Sequence, residues 1–490
     1  MQKGIIWFRQ DLRLCDNPAL YNAVIENDAI FPLYILDDTL PALLGEAQRW
    51  WLHKSLAALQ IEFKKKGAAL ILRKGNPEKI LLEISRQYNI NAVYWNRCYE
   101  PAVRQSDAII QKMLAAKDIK VQQYNGTLLH EPEKIANKQG GYFKVFSYFW
   151  KKCCSSLHNE KILPLPNFKN KIPPKKSPKS DNLEAWRLLP LHPDWAGGFS
   201  EWWHPGEAGA HDKLSGFIEH LLPDYIRHRD FPAQHTVSGL SPHLHFGEIS
   251  PRQILSRLKP IEMHDLALSK QCAHFSRELG WREFSYYLLY HFPELPEKNF
   301  KEKFDTFAWS PNKKLLSCWQ KGRTGYPLVD AGMRQLWQTG YMHNRIRMIT
   351  ASFLTKNLLI DWREGAKWFW HTLLDADLAS NSMNWQWVAG SGADAAPYFR
   401  IFNPITQSKK FDPAGEYIRH WIPELNKLPD KYIHQPMEAP PNILKSAGII
   451  LGKNYPFPII DHTVTRQKAL SVYRKLKGKK PGTHQVYIAS

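Results

Sequence analysis

Between Tyr341 and Phe402 the chain places Trp, Asn, Arg and paired Asp where an ordinary helical core would carry Leu, Ile and Val. The run MHNRIRM (342–348) sets Asn344 and Met348 one helical turn apart, flanked by Arg345 and Arg347. An Asn amide reads a nucleobase edge, and Met supplies an adaptable apolar contact. Arg347 could equally anchor Asp375 in a plain ion pair. In DADLASNSMNWQW (375–387), Asp375 and Asp377 are too close for paired acid–base carboxylates on one helix face. A loop bearing hydrogen-bond acceptors is expected there.

Upstream, HFSRELGWREFSYYLLYHF (274–292) brings Glu278, Trp281, Arg282 and Ser285 onto one helical face. A carboxylate beside an indole suits a binding wall, because a Trp face stacks on a base for roughly 1–3 kcal/mol. Glu278 would accept a pyrimidine ring N–H, or donate to a carbonyl if burial keeps it protonated. The plain alternative is a surface Glu–Arg pair beside a half-buried Trp. In HTVSGLSPHLHFGEISPRQ (235–253), Ser241 before Pro242 reads as a helix cap whose free N–H groups could face a phosphate. An ordinary cap is again the alternative. His243 and His245 have no matching Cys or His cluster, so a metal site is not expected. Neither a nucleophile elbow nor a Ser-His-Asp set is present.

The elements that position these residues fall into two kinds. Residues 1–130 alternate apolar runs (4–8, 29–36, 68–73, 91–96 and 120–125) with amphipathic helices such as 46–66 and 77–88. Asn17-Pro18 is a cap and first-turn pair. This alternation predicts an α/β domain with a doubly wound parallel sheet, without a Gly-rich dinucleotide or phosphate-loop motif. The stretch 163–180 holds five Pro and five Lys and no acid, which reads as a basic connector. Helical periodicity takes over from about residue 210, and 14 of the 19 Trp follow residue 185. Domains are therefore expected at 1–130 and 210–490, joined by a linker over 131–209, the second being a large all-α unit.

With 490 residues, a formal charge of +20 and a pI of about 9.5, the chain suits more than one core and a polyanionic partner. Nucleic acid is the first candidate, an anionic membrane surface the second, and a merely soluble basic protein the plain alternative. Six scattered cysteines without a CxxC pair suit a reducing, cytoplasmic setting. The early charges of MQKGIIWFRQDLR fit no secretory signal, and no apolar run reaches membrane-spanning length. The seven Lys/Arg and no acid after Asp461 read as a solvated or phosphate-facing end.

Taken in order, WFRQDLRLCDNPAL (7–20), LSPHLHFGEISPRQ (240–253), WREF (281–284), GYPLVDAGMRQLWQTGYMHNRIRM (325–348), DWREG (361–365) and NWQWVAGSGADAAPYFRIFNP (384–404) closely resemble the photolyase/cryptochrome family of blue-light flavoproteins. The resemblance spans essentially the whole chain. It implies FAD in the helical domain, held by Tyr225, Val237, Ser238, Gly239, Leu240 and Ser241 at the phosphates and ribityl chain. Asp375, Ala376 and Asp377 would line the flavin ring, Arg347 would pair with Asp375, and Asn381 would face flavin N5. The family often carries Thr where this chain has Val237, and Thr236 is the nearest hydroxyl.

The resemblance further implies light-driven repair of cyclobutane pyrimidine dimers in DNA. The flipped-out dimer would sit between Trp281 and Trp387 and be hydrogen-bonded by Glu278 and Asn344. Met348 would contact it as well, with Arg282 on the same wall and Arg229, Arg345 and Gln407 on the damaged strand. Trp385, Trp362 and Trp309 match the family's photoreduction chain. Asn381 and the MHNRIRM run favour a dimer-repair enzyme, and the chain lacks the long C-terminal extension of signalling cryptochromes. A cryptochrome-type photoreceptor and a (6-4) photoproduct photolyase are the alternatives. A second, antenna chromophore is expected in the α/β domain, methenyltetrahydrofolate more than a deazaflavin, with no residues assigned. The expected partner is UV-damaged DNA alone, bound by a monomer with no obligate protein partner and no membrane.

Overall fold

The computed structural model describes residues 1–39, 44–156, 161–168, 171, 178–190, 192–395 and 399–476. Parts of three sequence readings lie outside the described residues: 169–170 and 172–177 of the basic connector, 396–398 of the last motif, and 477–490 of the basic tail.

Five strands, β1 (Lys3–Phe8), β2 (Ala29–Leu36), β3 (Ile71–Lys74), β4 (Ala92–Asn96) and β5 (Lys120–Tyr124), form one parallel sheet in the order β3-β2-β1-β4-β5. Helices α1 (Pro18–Glu26), α2 (Glu46–Lys65), α3 (Pro77–Tyr88) and α4 (Pro101–Ala115) make the crossovers. β1 and β2 are almost wholly buried, as strands covered on both faces must be. Ile5, Leu33, Val93 and Trp95 pack there with Leu81 and Ile110 of the flanking helices. The expected third strand began at residue 68, but β3 starts at Ile71, because the Ala68 N–H closes the end of α2 on the Phe63 carbonyl at 2.9 Å.

Strand order reverses between β1 and β4, the position at which open sheets of this kind usually accept ligands. Here polar side chains fill the strand ends. Asp11 accepts from the Arg9 backbone N–H at 2.6 Å and from Asn96 Nδ2 at 2.6 Å. Asn96 Nδ2 also donates to Asn17 Oδ1 at 2.8 Å, while Asn17 caps α1 by accepting from the Leu20 N–H. Fully buried Arg13 donates to the carbonyls of Asp16, Gly126 and Gly247 at 2.7, 2.6 and 2.8 Å. Asp16 in turn accepts from Ser250 Oγ at 2.6 Å and Arg252 Nε at 3.1 Å. The charged residues of WFRQDLRLCDN thus tie the sheet to residues 247–252. Gly247 (φ +66°) is required there, since a Cβ would run into the backbone of Gln10 and Asp11.

Packing divides the chain into two units that do not follow sequence order. The first holds Met1–Pro223, Ser238–Pro293 and Leu374–Ala379, and the second Asp224–Val237, Glu294–Leu373 and Ser380–Ser490. Part of the stretch read as a linker is core. Helix α5 (Phe146–Ser156) packs Phe146 and Phe149 against Trp281, Phe284 and Tyr287 of the first unit. In the second unit, Asp330 accepts from the N–H and hydroxyl of Thr324, the Gly325 N–H and the Tyr455 hydroxyl. Burial outweighs these donors and pushes its carboxyl up to about 6.

Candidate functional site

In the first unit, helix Leu266–His291 presents Glu278 and Trp281, both half-buried. One face of the Trp281 indole is covered by the Phe146 ring, parallel within 11° at 3.7 Å. Gly280 stands beside it because a Cβ there would strike the Trp150 indole. The expected four-residue face is only partly a binding wall. Ser285 is buried and donates to the Trp281 carbonyl at 2.9 Å. The Arg282 guanidinium donates to the carbonyls of Thr127 at 2.9 Å and Leu244 at 3.5 Å, lying 4.8 Å over the Tyr286 ring. Arg282 thus braces the loops behind the helix. Its neighbour Glu283, which the sequence reading passed over, accepts from the N–H groups of Leu129 and His130. Burial, against the pull of Arg282 and these donors, pushes its carboxyl up to about 7.

Ser241 corrects the sequence reading. It is the first residue of the short helix Ser241–His245, not its cap, and its hydroxyl donates to Asp375 Oδ2 at 2.5 Å. His243 and His245 diverge: His243 Nδ1 meets Glu248 at 2.5 Å, while His245 Nδ1 faces Asp377 at 3.6 Å. Residues 373–377 form the expected loop ahead of helix Leu378–Ala389. Within it Asp375, Ala376 and Asp377 are all buried. Burial pushes the Asp377 carboxyl up. The neighbouring His245, the charge of Arg282 and the Tyr286 hydroxyl outweigh that, and it settles at about 2.

Two features make residues 236–241 fit a phosphate-bearing ligand. Gly239 takes φ +65°, and the Lys213 ammonium lies 3.8 Å from where a Cβ on it would sit. That ammonium lies 5.3 Å over the Trp203 ring, and burial pulls its pKa down, so a bound anion would compensate its lost hydration. In the second unit the buried Thr236 hydroxyl has no hydrogen-bond partner, a state that costs about 1–3 kcal/mol and that a ligand oxygen would relieve. Val237 and Ser238 are half-buried, and Leu240 is buried. Sequence reading missed Lys213 because nothing in its neighbourhood, AHDKLSG, marks a ligand.

In the second unit, helix Asn344–Ser352 exposes Asn344 and half-buries Arg345, Arg347 and Met348. His343 caps it, its Nδ1 accepting from the Arg345 N–H at 3.2 Å. An accepting nitrogen must be unprotonated, in keeping with burial pulling His343 down to about 4. Arg345 pairs with Asp230 at 2.6 Å and lies 4.5 Å over the Phe411 ring. Arg347 Nε donates to the Met342 carbonyl at 2.6 Å. Tyr225 is buried beneath the Arg229 guanidinium, 5.1 Å from its ring. Gln407, expected to touch a DNA strand, is only 4% exposed, because its side chain faces the core side of helix Pro404–Phe411.

Asn381 is half-buried, and its Nδ2 donates to the Ala366 carbonyl at 3.0 Å, which leaves its oxygen side for another partner. Trp387 is half-buried on the same helix. Trp385 is buried edge-on to Phe369 at 5.0 Å and to Trp319 at 6.2 Å, and Gly365 makes room for its indole. Trp362 is fully buried with its indole N–H on Asn299 Oδ1 at 3.0 Å, and half-buried Trp309 rests on Phe307 at 4.5 Å. Among the described residues no group of three or more His, Cys, Asp or Glu is placed to hold a metal ion, and no helix is long and apolar enough to cross a membrane.

Comparisons with known proteins match nearly the whole chain. Residues 4–170 match the family model described as DNA photolyase, and residues 275–475 that described as FAD binding domain of DNA photolyase. A deoxyribodipyrimidine photo-lyase of Agrobacterium fabrum is 50% identical over 473 residues, 96% of this chain and 98% of that protein. Cryptochrome-2 of Arabidopsis thaliana is 38% identical, over 97% of this chain and 79% of its own length. Among solved structures, a bacterial class III photolyase from Agrobacterium tumefaciens superposes with a TM-score of 0.94 at 49% identity, covering 98% of each chain.

Proposed function

The chain belongs to the photolyase/cryptochrome family, and from that membership we propose a light-dependent deoxyribodipyrimidine photo-lyase that restores cyclobutane pyrimidine dimers in DNA. The observation that carries the reading is the 50% identity, over nearly the full length of both chains, to a protein of that activity. The Arabidopsis cryptochromes are similar over most of this chain at 37–38% identity, so a photoreceptor is the second reading.

FAD, when bound in its reduced form, supplies the electron that opens the dimer ring in light and takes it back afterwards. The residues around it set where this happens. Ser238, Gly239, Leu240 and Ser241, with Tyr225 and the Thr236 hydroxyl, are assigned to its phosphates and ribityl chain. Val237 offers only its backbone. Arg347, Asp375, Ala376, Asp377 and Asn381 are assigned to the flavin ring. Asp375 reaches this task already oriented by Ser241, and Asn381 by the Ala366 carbonyl.

For the lesion, Trp281 has one face backed by Phe146, so a pyrimidine stacked on it would complete a three-layer stack. Glu278 and Asn344 are assigned to the pyrimidine edges, Met348 and Trp387 to apolar contact, and Arg229 and Arg345 to the damaged strand. Arg282 is assigned to bracing the wall instead of to the substrate, and Gln407 to the core. Trp385, Trp362 and Trp309 are assigned to photoreduction of the oxidised cofactor. For the antenna, methenyltetrahydrofolate is our assignment, tested by the fluorescence of chromophores released on denaturation: a pterin supports it and a second flavin or a deazaflavin overturns it.

The enzymatic reading is tested by incubating the reduced, flavin-loaded protein with DNA carrying cyclobutane dimers or (6-4) products, in light and in darkness. Light-dependent loss of cyclobutane dimers is expected. Repair of (6-4) products alone would make it the other photolyase, and repair of neither would favour the photoreceptor.

A further inference from the structure

Asp377 lies at the centre of a buried polar chain that draws on four distant parts of the first unit. The Tyr286 hydroxyl donates to Asp377 Oδ2, and His245 Nδ1 stands 3.6 Å from the same oxygen. On the far side of the imidazole, Gln48 Nε2 lies 3.0 Å from His245 Nε2 and also donates to the Ala376 carbonyl. The Gln48 amide orientation is fixed, because its oxygen accepts from the Gly45 N–H at 2.7 Å. An amide nitrogen only donates, so His245 Nε2 accepts and the ring proton sits on Nδ1, facing Asp377. All of Gln48, His245, Tyr286 and Asp377 are buried.

Two further charged groups face the carboxylate. Arg282, on the helix that carries Tyr286, adds positive potential at Asp377. Glu100, ahead of α4, is buried with Oε1 on Gln10 Nε2 at 2.7 Å. Burial and the negative charge of Asp377 push its carboxyl up, against the hydrogen bond from Gln10.

We propose that Tyr286 and His245 are positioning residues that hold Asp377 as a fixed carboxylate anion toward the flavin ring, with Gln48 setting the histidine tautomer. The inference deepens the flavin assignment and depends on it. A fixed negative charge beside the ring opposes the arrival of electrons there. It lowers the reduction potential and makes the reduced cofactor a stronger donor.

The test uses full-length, flavin-loaded protein and three variants: Tyr286→Phe, His245→Leu and His245→Asn, the last restoring an N–H near the Nδ1 position. Flavin absorption and midpoint potential are followed from about pH 4 upward, because a buried carboxylate that loses a donor titrates above its ordinary value of about 3.9. The wild-type spectrum is expected to stay constant. Tyr286→Phe and His245→Leu should show an acid-dependent band shift and a more positive potential at the acid end, and His245→Asn should return toward wild type. If either donor-deleted variant fails to retain flavin, the other carries the measurement. Flavin-bearing variants whose spectra and potentials superimpose on the wild type would overturn the proposal alone. A wild-type chain that binds no flavin would overturn the flavin assignment and this inference together.

Discussion

Single residues here differ sharply in how far their surroundings commit them. Trp385 and Trp362 are locked, one between Phe369 and Trp319 and the other by Asn299, whereas Trp309 is half-exposed and rests on Phe307. Replacing Trp309 by Phe therefore removes an oxidisable ring at little structural cost. We expect photoreduction of oxidised flavin in Trp309→Phe to fall at least tenfold by transient absorption, while enzyme reduced chemically beforehand repairs dimers at the wild-type rate. Lost repair in the pre-reduced variant would end this assignment.

Residues of this kind were legible in sequence wherever the type itself is unusual for its place: a Trp beside a Glu, an Asn one turn from a Met. Residues that act through distant partners were not. Tyr286, His245, Gln48 and Lys213 carry no local mark, since Gln48 lies 197 residues from His245 and 328 from Ala376. Ser241 was misread for the same reason, because its partner Asp375 is 134 positions away.

At the scale of elements, the parallel sheet was readable because strands buried on both faces leave unbroken apolar runs, and α2 and α3 because amphipathic stretches alternate with those runs. The helix Leu266–His291 shows what such readings omit. Its period gave the face, but not that Arg282 and Glu283 point to loop backbone. Glu283 also gives the helix a pH signature. Its folded pKa of about 7 lies above the ordinary 4.5, so its contribution is complete in acid and is lost as pH rises through about 7. Asp330 and Asp412, both pushed up to about 6 by burial, slope the same way. Asp377, held at about 2, acts oppositely and only in strong acid. Glu283→Gln keeps an oxygen for the two N–H groups and removes the titration. The variant should lose less melting temperature than wild type between about pH 5 and 8, by calorimetry. Equal losses would show that Glu283 does not titrate in that range.

For the whole molecule, a formal charge of +20 is the dominant long-range property, and it bears on DNA binding more than on fold. Each phosphate neutralised releases counterions, so about four such contacts would weaken binding roughly a hundredfold between 50 and 200 mM salt. A filter-binding or anisotropy titration of undamaged duplex should show that steep dependence. On our assignment of stacking and hydrogen bonding to Trp281, Glu278 and Asn344, the preference for dimer-containing DNA should change far less with salt. A salt-independent affinity for undamaged duplex would mean that the basic surface is not what holds the backbone.

The division of the first unit into three stretches of chain has a consequence for synthesis. Ser241 and Tyr286 wait for Asp375 and Asp377, which enter the unit with its last stretch, Leu374–Ala379. At about 5–20 residues per second, a ribosome needs on the order of 20–80 s to reach that point. Until then the sheet can form around its own crossovers, but the polar sockets at Ser241, His245 and Tyr286 stand without their carboxylates. A nascent chain arrested before Leu374 should fold its sheet yet hold no flavin.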